Sequence, residues 1–531
     1  MAKDNYPQSP SVTVGLQAAQ NAQGANVVDQ NTPPVGTFPN NKEKARLDDY
    51  EYYRRLFLGK HFEAFRIRID DEKYNRAYAK LRWVVVNFAG LISKVMADML
   101  FSEPPTVTVP KGDQAWVDAL WRANKMDVQC YESALGNSYN GDAVFKMRAG
   151  KLNEADENGE STVIIEDITP TIYFPEIDGF NVRADPKKVE LKWTFQVGDD
   201  LFLRKEIHTP GKIENKVYAM KADKIMPEVG LDFAGLNLEP EQATNIHEML
   251  ITHVANWKTG DRYFGLSDYN DLDTLFYALN NRMTKVDNIL DKHGDPILMV
   301  PPGVLDEKGN VKKKALGVIE VEPGDNGKPE YIVWDASLES AFKEIEKLVD
   351  FLYLTAEISP DLLGLGEGKT ESGRALKYKL MRTLAKAARK RIYYDQALKE
   401  IVYNAQVFAK ANGLTIDGKA LQGEPVRPEI EWNDGLPIDN HELQEDLILA
   451  IDAGIESKKG AIMTLDAIDE KNAEEKLKNI EEEKPKIPVP TMGLGTDNVM
   501  IDKLTGKPKV MPPKDVTPPA LVPFAQANKV K

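Results

Sequence analysis

A chain of 531 residues is long enough for roughly three or four folding units, and its 68 basic against 83 acidic side chains, net −15, exclude a global nucleic-acid wrapper or membrane-surface binder. Any contact with a polyanion has to be local. The single cysteine, Cys130, excludes an internal disulfide and a cysteine-based zinc site, which suits a reducing compartment.

Residues 1–41 hold eleven Asn or Gln and five prolines with little apolar periodicity. Such a composition buries too little surface to fold alone, and it predicts a flexible arm or interaction strap over residues 1–44. It lacks the basic, apolar, small-residue succession of a secretory signal, so the expected location is the cytoplasm. Residues 42–110 read as helices, with Tyr74 to Leu100 the longest. The apolar stretch Trp83 to Phe101 is interrupted by Asn87, Lys94 and Asp98, which predicts a buried helix rather than a bilayer span. Residues 111–135 are again helical; Cys130 lies there, far in sequence from every histidine, which argues against a catalytic thiol.

From Asp142 to Met226 short alternating runs such as "AVFKM", "STVIIED", "LKWTFQV" and "LFLRKEI" predict an antiparallel sheet, giving an α+β body. Within it "EADENGESTVIIE" places Glu154, Asp156, Asn158 and Gly159 at positions 1, 3, 5 and 6 of a calcium loop, but position 12 is Ile165. Asn-Gly between alternating runs predicts a hairpin turn instead, and no metal site follows. His247 and His253, six apart, share no helix face and read as packed or strand positions.

Ser267 can cap a helix whose first turns carry Asp268, Asp271 and Asp273 and whose end carries Lys285 and Lys292, with Gly294 as the stop. Three short strands, around "ILMV", "LGVIEVE" and "EYIVW", follow over 294–336. A second amphipathic helix covers 337–358 and leads into "GLGEGKT". A phosphate-binding loop needs glycine five residues before Gly368; that place is Leu363, and Gly364 comes one residue late. The preceding segment is also helical where a buried strand is required. A flexible glycine loop between helices is the stronger reading, with a nucleotide site of a nucleotide-dependent enzyme as the alternative.

Arg374 to about Asn412 contains neither Gly nor Pro and predicts a helix approaching ~60 Å. Residues 368–392 hold nine Lys or Arg against Glu371 alone. Lys379, Arg382, Lys386, Arg389 and Lys390 fall within an arc of ~100°. The favoured reading is a solvated face paired with Glu339, Glu344, Glu346, Asp350 and Glu357 of the preceding helix; the sharper one is phosphate contact by a DNA-binding scaffold. The chain ends in a Pro-rich tail, with nine prolines in its last 48 residues.

This order of elements resembles the portal proteins of tailed double-stranded DNA bacteriophages. "SGRALKYKLM" looks like that family's entry into its long tunnel-side helix, and "HVANWKTGDRYFGLSDYNDL" is similar to its approach to the first stem helix. "IEWNDGLPIDNHELQEDLILAIDAGIESKKGAI" resembles its return strand and following helices, so the resemblance covers roughly residues 45–483. It implies an α/β wing at 45–266, stem helices at 267–293 and 337–358, a small β-rich clip at 294–336, a tunnel loop at 359–373 and a long tunnel-to-wing helix at 374–412. A wing return strand at 413–440, a helical crown at 441–483 and the tail at 484–531 complete it. It further implies a homo-oligomeric ring, typically of twelve subunits, at a capsid vertex of the virion, assembled in the host cytoplasm. Its partners would be double-stranded DNA in the channel, the terminase large subunit, head-completion or adaptor proteins, and the major capsid and scaffolding proteins. No membrane, cofactor or catalytic residue is implied. Leu363, Gly364, Gly366, Glu367, Gly368, Lys369, Thr370 and Arg374 would line the channel; Lys369 and Arg374 are the candidates for transient phosphate contact. The basic face at Lys379, Arg382, Lys386, Arg389 and Lys390 would meet DNA or a neighbouring subunit.

Overall fold

The computed structural model describes residues 33–68, 83–152, 160–232, 236, 238–294, 297–300, 318–320, 330–332, 338–363, 373–433, 440–466, 468 and 470–483. The chain divides into two compact units, Met1–Ile438 and Asp439–Lys531.

The first unit opens on strand β1 (Gly36–Thr37) and helix α1 (Asn41–Phe57), so the last part of the expected arm is built into the body. Asn40 sets that start: its side chain accepts from the backbone N–H of Lys42 and Glu43, and Glu43 accepts from the Asn40 N–H. Helix α2 (His61–Arg68) follows. The long helix expected over Tyr74 to Leu100 is not continuous, because residues 83–87 are non-helical and α3 spans only Phe88–Phe101. Val84, Val85 and Val86 form a β-branched run with poor helix propensity. The N–H groups of Val84 and Val86 instead donate to Thr284 Oγ1 (3.1 Å) and Asn280 Oδ1 (2.8 Å). α3 itself buries Ala89, Ile92, Met96, Ala97 and Leu100. Among the described residues no helix is long and apolar enough to cross a membrane.

Strand β2 (Thr106–Thr108) and helices α4 (Gln114–Ala123) and α5 (Met126–Asn140) lead to the strands β3 (Asp142–Gly150), β4 (Thr162–Ile168), β5 (Tyr173–Pro175), β6 (Val189–Val197), β7 (Asp200–Thr209), β8 (Lys212–Lys221), β9 (Lys224–Val229), β10 (Glu241–Ala243) and β11 (Ile251–Ala255). The runs expected as one sheet form two, both antiparallel: β11-β3-β4, and the path β1-β9-β8-β7-β6-β5 with β10 beside β8. Alternation decides the faces; in β8 Ile213, Val217 and Ala219 point inward. β3 and β4 pair Gly150 with Thr162, framing the stretch read as a hairpin turn, of which residues 153–159 lie outside the described residues.

Helix α6 (Asp273–Gly294) and helix α7 (Leu338–Ala356) flank β12 (Ile297–Val300), β13 (Val318–Glu320) and β14 (Glu330–Ile332). The three strands pair in the order β13-β12-β14, parallel on one side and antiparallel on the other. α6 and α7 run antiparallel: Arg282 meets Glu344 at 2.8 Å, while Phe276 and Leu279 share a core with Leu352 and Ala356 at the other end of α7. A short turn, Pro360–Leu363, precedes α8 (Gly373–Asn412), whose 40 residues span ~60 Å. α8 serves two cores in succession. Leu380 and Ala387 pack with α1, α3, α6 and α7, whereas Tyr394, Leu398, Ile401, Val402, Ala405 and Phe408 pack with α4, α5 and the β3–β4 sheet. Strands β15 (Thr415–Ile416) and β16 (Lys419–Ala420) form a small hairpin, and β17 (Glu429–Glu431) returns to pair with β2.

The second unit contains α9 (Asn440–Asp452), α10 (Lys458–Asp466) and α11 (Glu470–Glu483). Lys459 of α10 reaches Glu470 (2.6 Å) and Glu474 (2.7 Å) of α11.

Candidate functional site

The chain enters α6 through "YFGLSDYND", and this segment is pinned before the helix begins. A Cβ on Gly265 would stand 2.0 Å from the Gly141 carbonyl oxygen, so only glycine permits the approach. The Gly265 N–H donates to Asp142 Oδ1 (2.8 Å), and the Asp268 N–H donates to the Ser138 carbonyl (2.9 Å). Ser267 Oγ accepts from the Tyr269 N–H at 3.0 Å, which makes a local turn. α6 therefore starts at Asp273, not at the expected Ser267.

Asp268 is thus an interior carboxylate rather than an exposed acid at a helix start. It accepts from Lys390 Nζ (2.6 Å), Lys386 Nζ (3.2 Å), Ser138 Oγ (2.7 Å) and Asn256 Nδ2 (3.2 Å). Lys390 also donates to Asn256 Oδ1, and Lys386 donates to the carbonyl of Ala356, the last residue of α7 (2.9 Å). One buried charge cluster therefore ties the entry of α6, the end of α7 and the side of α8. Burial opposes ionisation of Asp268, but Lys386 and Lys390 outweigh it and hold the carboxyl well below the usual carboxylate range. Burial pushes the Lys390 ammonium down to about 8 against the pull of Asp268.

The basic arc consequently splits. Lys386 and Lys390 are only 8% and 4% exposed and face the interior of their own subunit, so they do not form part of a solvent face. Lys379, Arg382 and Arg389 stay at the surface. Arg389 pairs with Glu357, Arg382 lies 3.9 Å from the same carboxylate, and Lys379 lies 3.4 Å from Asp361. Glu357 is in the left-handed region (φ +58°), where it ends α7 and turns the chain toward Ser359. The Ser359 N–H donates to Thr383 Oγ1 (2.9 Å), which donates to the Glu357 carbonyl (3.0 Å). A cleft of about 410 Å³ opens here, lined by Asp350, Tyr353, Leu354, Glu357, Lys379 and Arg382 among others.

Of the expected channel residues, Leu363 packs half-buried against the core at the helix roots, and the backbone of Arg374 belongs to the first turn of α8. Gly364, Gly366, Glu367, Gly368, Lys369 and Thr370 lie outside the described residues. His253 occupies strand β11, 2.6 Å from Asp142 Oδ1 and stacked between Tyr173 and Tyr263. Asp142 also accepts from Tyr50 (2.6 Å), so it fastens α1, β11 and the Gly265 turn together. Among the described residues no group of three His, Cys, Asp or Glu could hold a metal ion. Cys130 is fully buried, and burial pushes its thiol up.

Sequence reasoning missed Asp142 and the inward role of Asp268. The available signal was the placement of Lys386 and Lys390, four apart, beside Thr383 and Ala387 on the stripe that Leu380 and Tyr394 bury.

The chain is similar to one in the neck of a native GTA particle computed with C12 symmetry, at 10% identity over 71% of this chain and 89% of that one, with a TM-score of 0.38. It is likewise similar to one in the neck of an empty GTA particle computed with C6 symmetry, at the same identity and coverage and a TM-score of 0.40. No curated protein matches it. The model of the family described as phage portal protein, SPP1 Gp6-like, matches residues 214–487, just over half of the chain. That span holds the paired helices, Asp268 and the lysines that meet it, and by this match the chain belongs to the SPP1 Gp6-like family of phage portal proteins.

Proposed function

We propose that the protein is a structural subunit of a ring, of twelve copies, at one capsid vertex, through which double-stranded DNA is packaged and ejected. In this reading the α+β body is the wing, α6 and α7 are the stem, the small strands between them are the clip, and α9 to α11 are the crown. The clip docks the terminase large subunit and later the head-completion or adaptor proteins, while the capsid and scaffolding proteins surround the ring. Leu363, Gly364, Gly366, Glu367, Gly368, Lys369, Thr370 and Arg374 form the channel lining, with Lys369 and Arg374 in passing contact with phosphate. The subunit conducts DNA without catalysis.

Beside the family match, the observation that carries the reading is the mount of α6 and α7. Two antiparallel helices bearing a small β module spring from a root where Asp268, Lys386 and Lys390 lock them to α8. A rigid root lets a projecting arm transmit force without bending at its base. Electron microscopy of the purified full chain tests the reading. A ring with a central channel is expected, and a uniform monomer that hydrolyses ATP would overturn it.

A further inference from the structure

Opposite its buried side α8 carries a second apolar stripe. Tyr378, Met381, Ala385, Ala388 and Ile392 follow one another at alternating intervals of three and four residues and lie within an arc of ~80°. All five are exposed, Tyr378 by 79%, Met381 by 64% and Ile392 by 67%. That alternation is the period of a helix packed lengthwise on another helix, and the two central alanines permit close approach of the axes. Arg374 continues the same arc one turn before Tyr378, but between Tyr378 and Ile392 the arc holds no cation, whereas contact with a polyanion requires cations.

The same subunit offers a complementary surface elsewhere. On α7 Phe351 and Leu354 are exposed by 50% and 67%, and Leu354 lines the cleft beside Tyr353 and Pro360. Charge is complementary as well. Leaving out the buried Lys386 and Lys390, residues 373–392 carry six Lys or Arg and no acid, whereas residues 338–357 carry five acids and two lysines, so +6 faces −3. The stripe cannot reach this surface in its own subunit, because the end of α7 already contacts α8 through Thr383 and Lys386 on the far side of the helix.

We infer that the stripe of α8 in one copy seats on the Phe351–Leu354 edge of α7, and in the cleft beside it, in a second copy of this chain. Two different patches on one subunit make a head-to-tail contact, which repeats from copy to copy and closes into a ring when the rotation allows. The inference rests on the ring reading and specifies the surfaces that build it.

Disulfide trapping in the full chain tests it, using Leu354→Cys and Ala388→Cys together and each alone. The native Cys130 is buried and does not compete. Oxidation of the double variant is expected to give a ladder of covalent multimers beyond the dimer, and each single variant to remain monomeric on a non-reducing gel. Dimers from Ala388→Cys alone, without a ladder from the double variant, would mean that the stripe meets its own copy, and overturn the inference. Rings in electron micrographs without a ladder overturn the inference and leave the ring reading standing; monomers without a ladder overturn both. Met381→Asp is expected to abolish assembly while leaving the thermal unfolding of the subunit unchanged. Normal assembly of that variant with loss of DNA retention would make the stripe a DNA surface and reject the inference.

Discussion

Asp268 and Lys390 form a close ion pair, yet their removal should have unequal consequences. Asp268 is the acceptor for two buried ammonium groups, so Asp268→Ala leaves both uncompensated and should cost about 3–5 kcal/mol. Lys390→Met removes one of two cations around a single carboxylate and fills the space with apolar volume; stability at pH 7 should fall by less than about 1 kcal/mol or rise. Chemical denaturation midpoints of the two variants decide this, and equal losses would contradict the asymmetry. The pH dependence follows from the same cluster. Lys390 titrates at about 8 in the fold against an ordinary value of 10.5, so between these values the unfolded chain holds more of this proton. The contribution of Lys390 to stability is therefore present above 10.5 and is lost as pH falls through 8. The stability of the native protein relative to Lys390→Met should rise from pH 7 to pH 10, and a pH-independent difference would reject the assignment.

At the scale of elements, α8 is a shared beam whose two halves answer to different cores. Leu398 is fully buried against the body, so Leu398→Ala should cost about 2–5 kcal/mol, whereas Ile392→Ala on the exposed stripe should leave the unfolding of the isolated subunit within about 0.5 kcal/mol. Calorimetry of the two variants separates a beam seated in a core from one held at its ends. The helix pair, the three small strands and α8 were legible in the sequence because each rests on local periodicity. The start of α6 was not, since Ser267 and Asp268 spend their side chains on a local turn and on groups far along the chain. The inward turn of Lys386 and Lys390 left only the trace of their place beside Thr383 and Ala387, since their partner is more than a hundred residues away in sequence. The break before α3 was hidden similarly, because the donors of Val84 and Val86 are met by side chains of α6. The candidate channel residues came from family resemblance and the glycine-rich composition, not from any spacing that forces them together.

For the whole molecule, the proposed ring would multiply each lining charge into a band, so a net-acidic subunit with few channel cations would grip DNA weakly and let it slide. Lys369→Ala should leave ring assembly intact while lowering DNA packaging or retention; packaging at the native level would remove Lys369 from the channel. Calorimetry showing nucleotide bound by the native chain and lost in that variant would instead revive the phosphate loop. The pairing of β17 with β2 joins residues 321 apart, and the body core likewise draws on Ala97 and Trp116 at one end and Phe408 and Ile416 at the other. Between them the ribosome must deliver α6, the three small strands and α7. Until α8 emerges, Phe101, Trp116 and Leu120 of the nascent body lack Tyr394 and Leu398 as neighbours, a long interval of exposed apolar surface during translation. Synthesis order thus makes the late half of α8 the gatekeeper of soluble subunit yield.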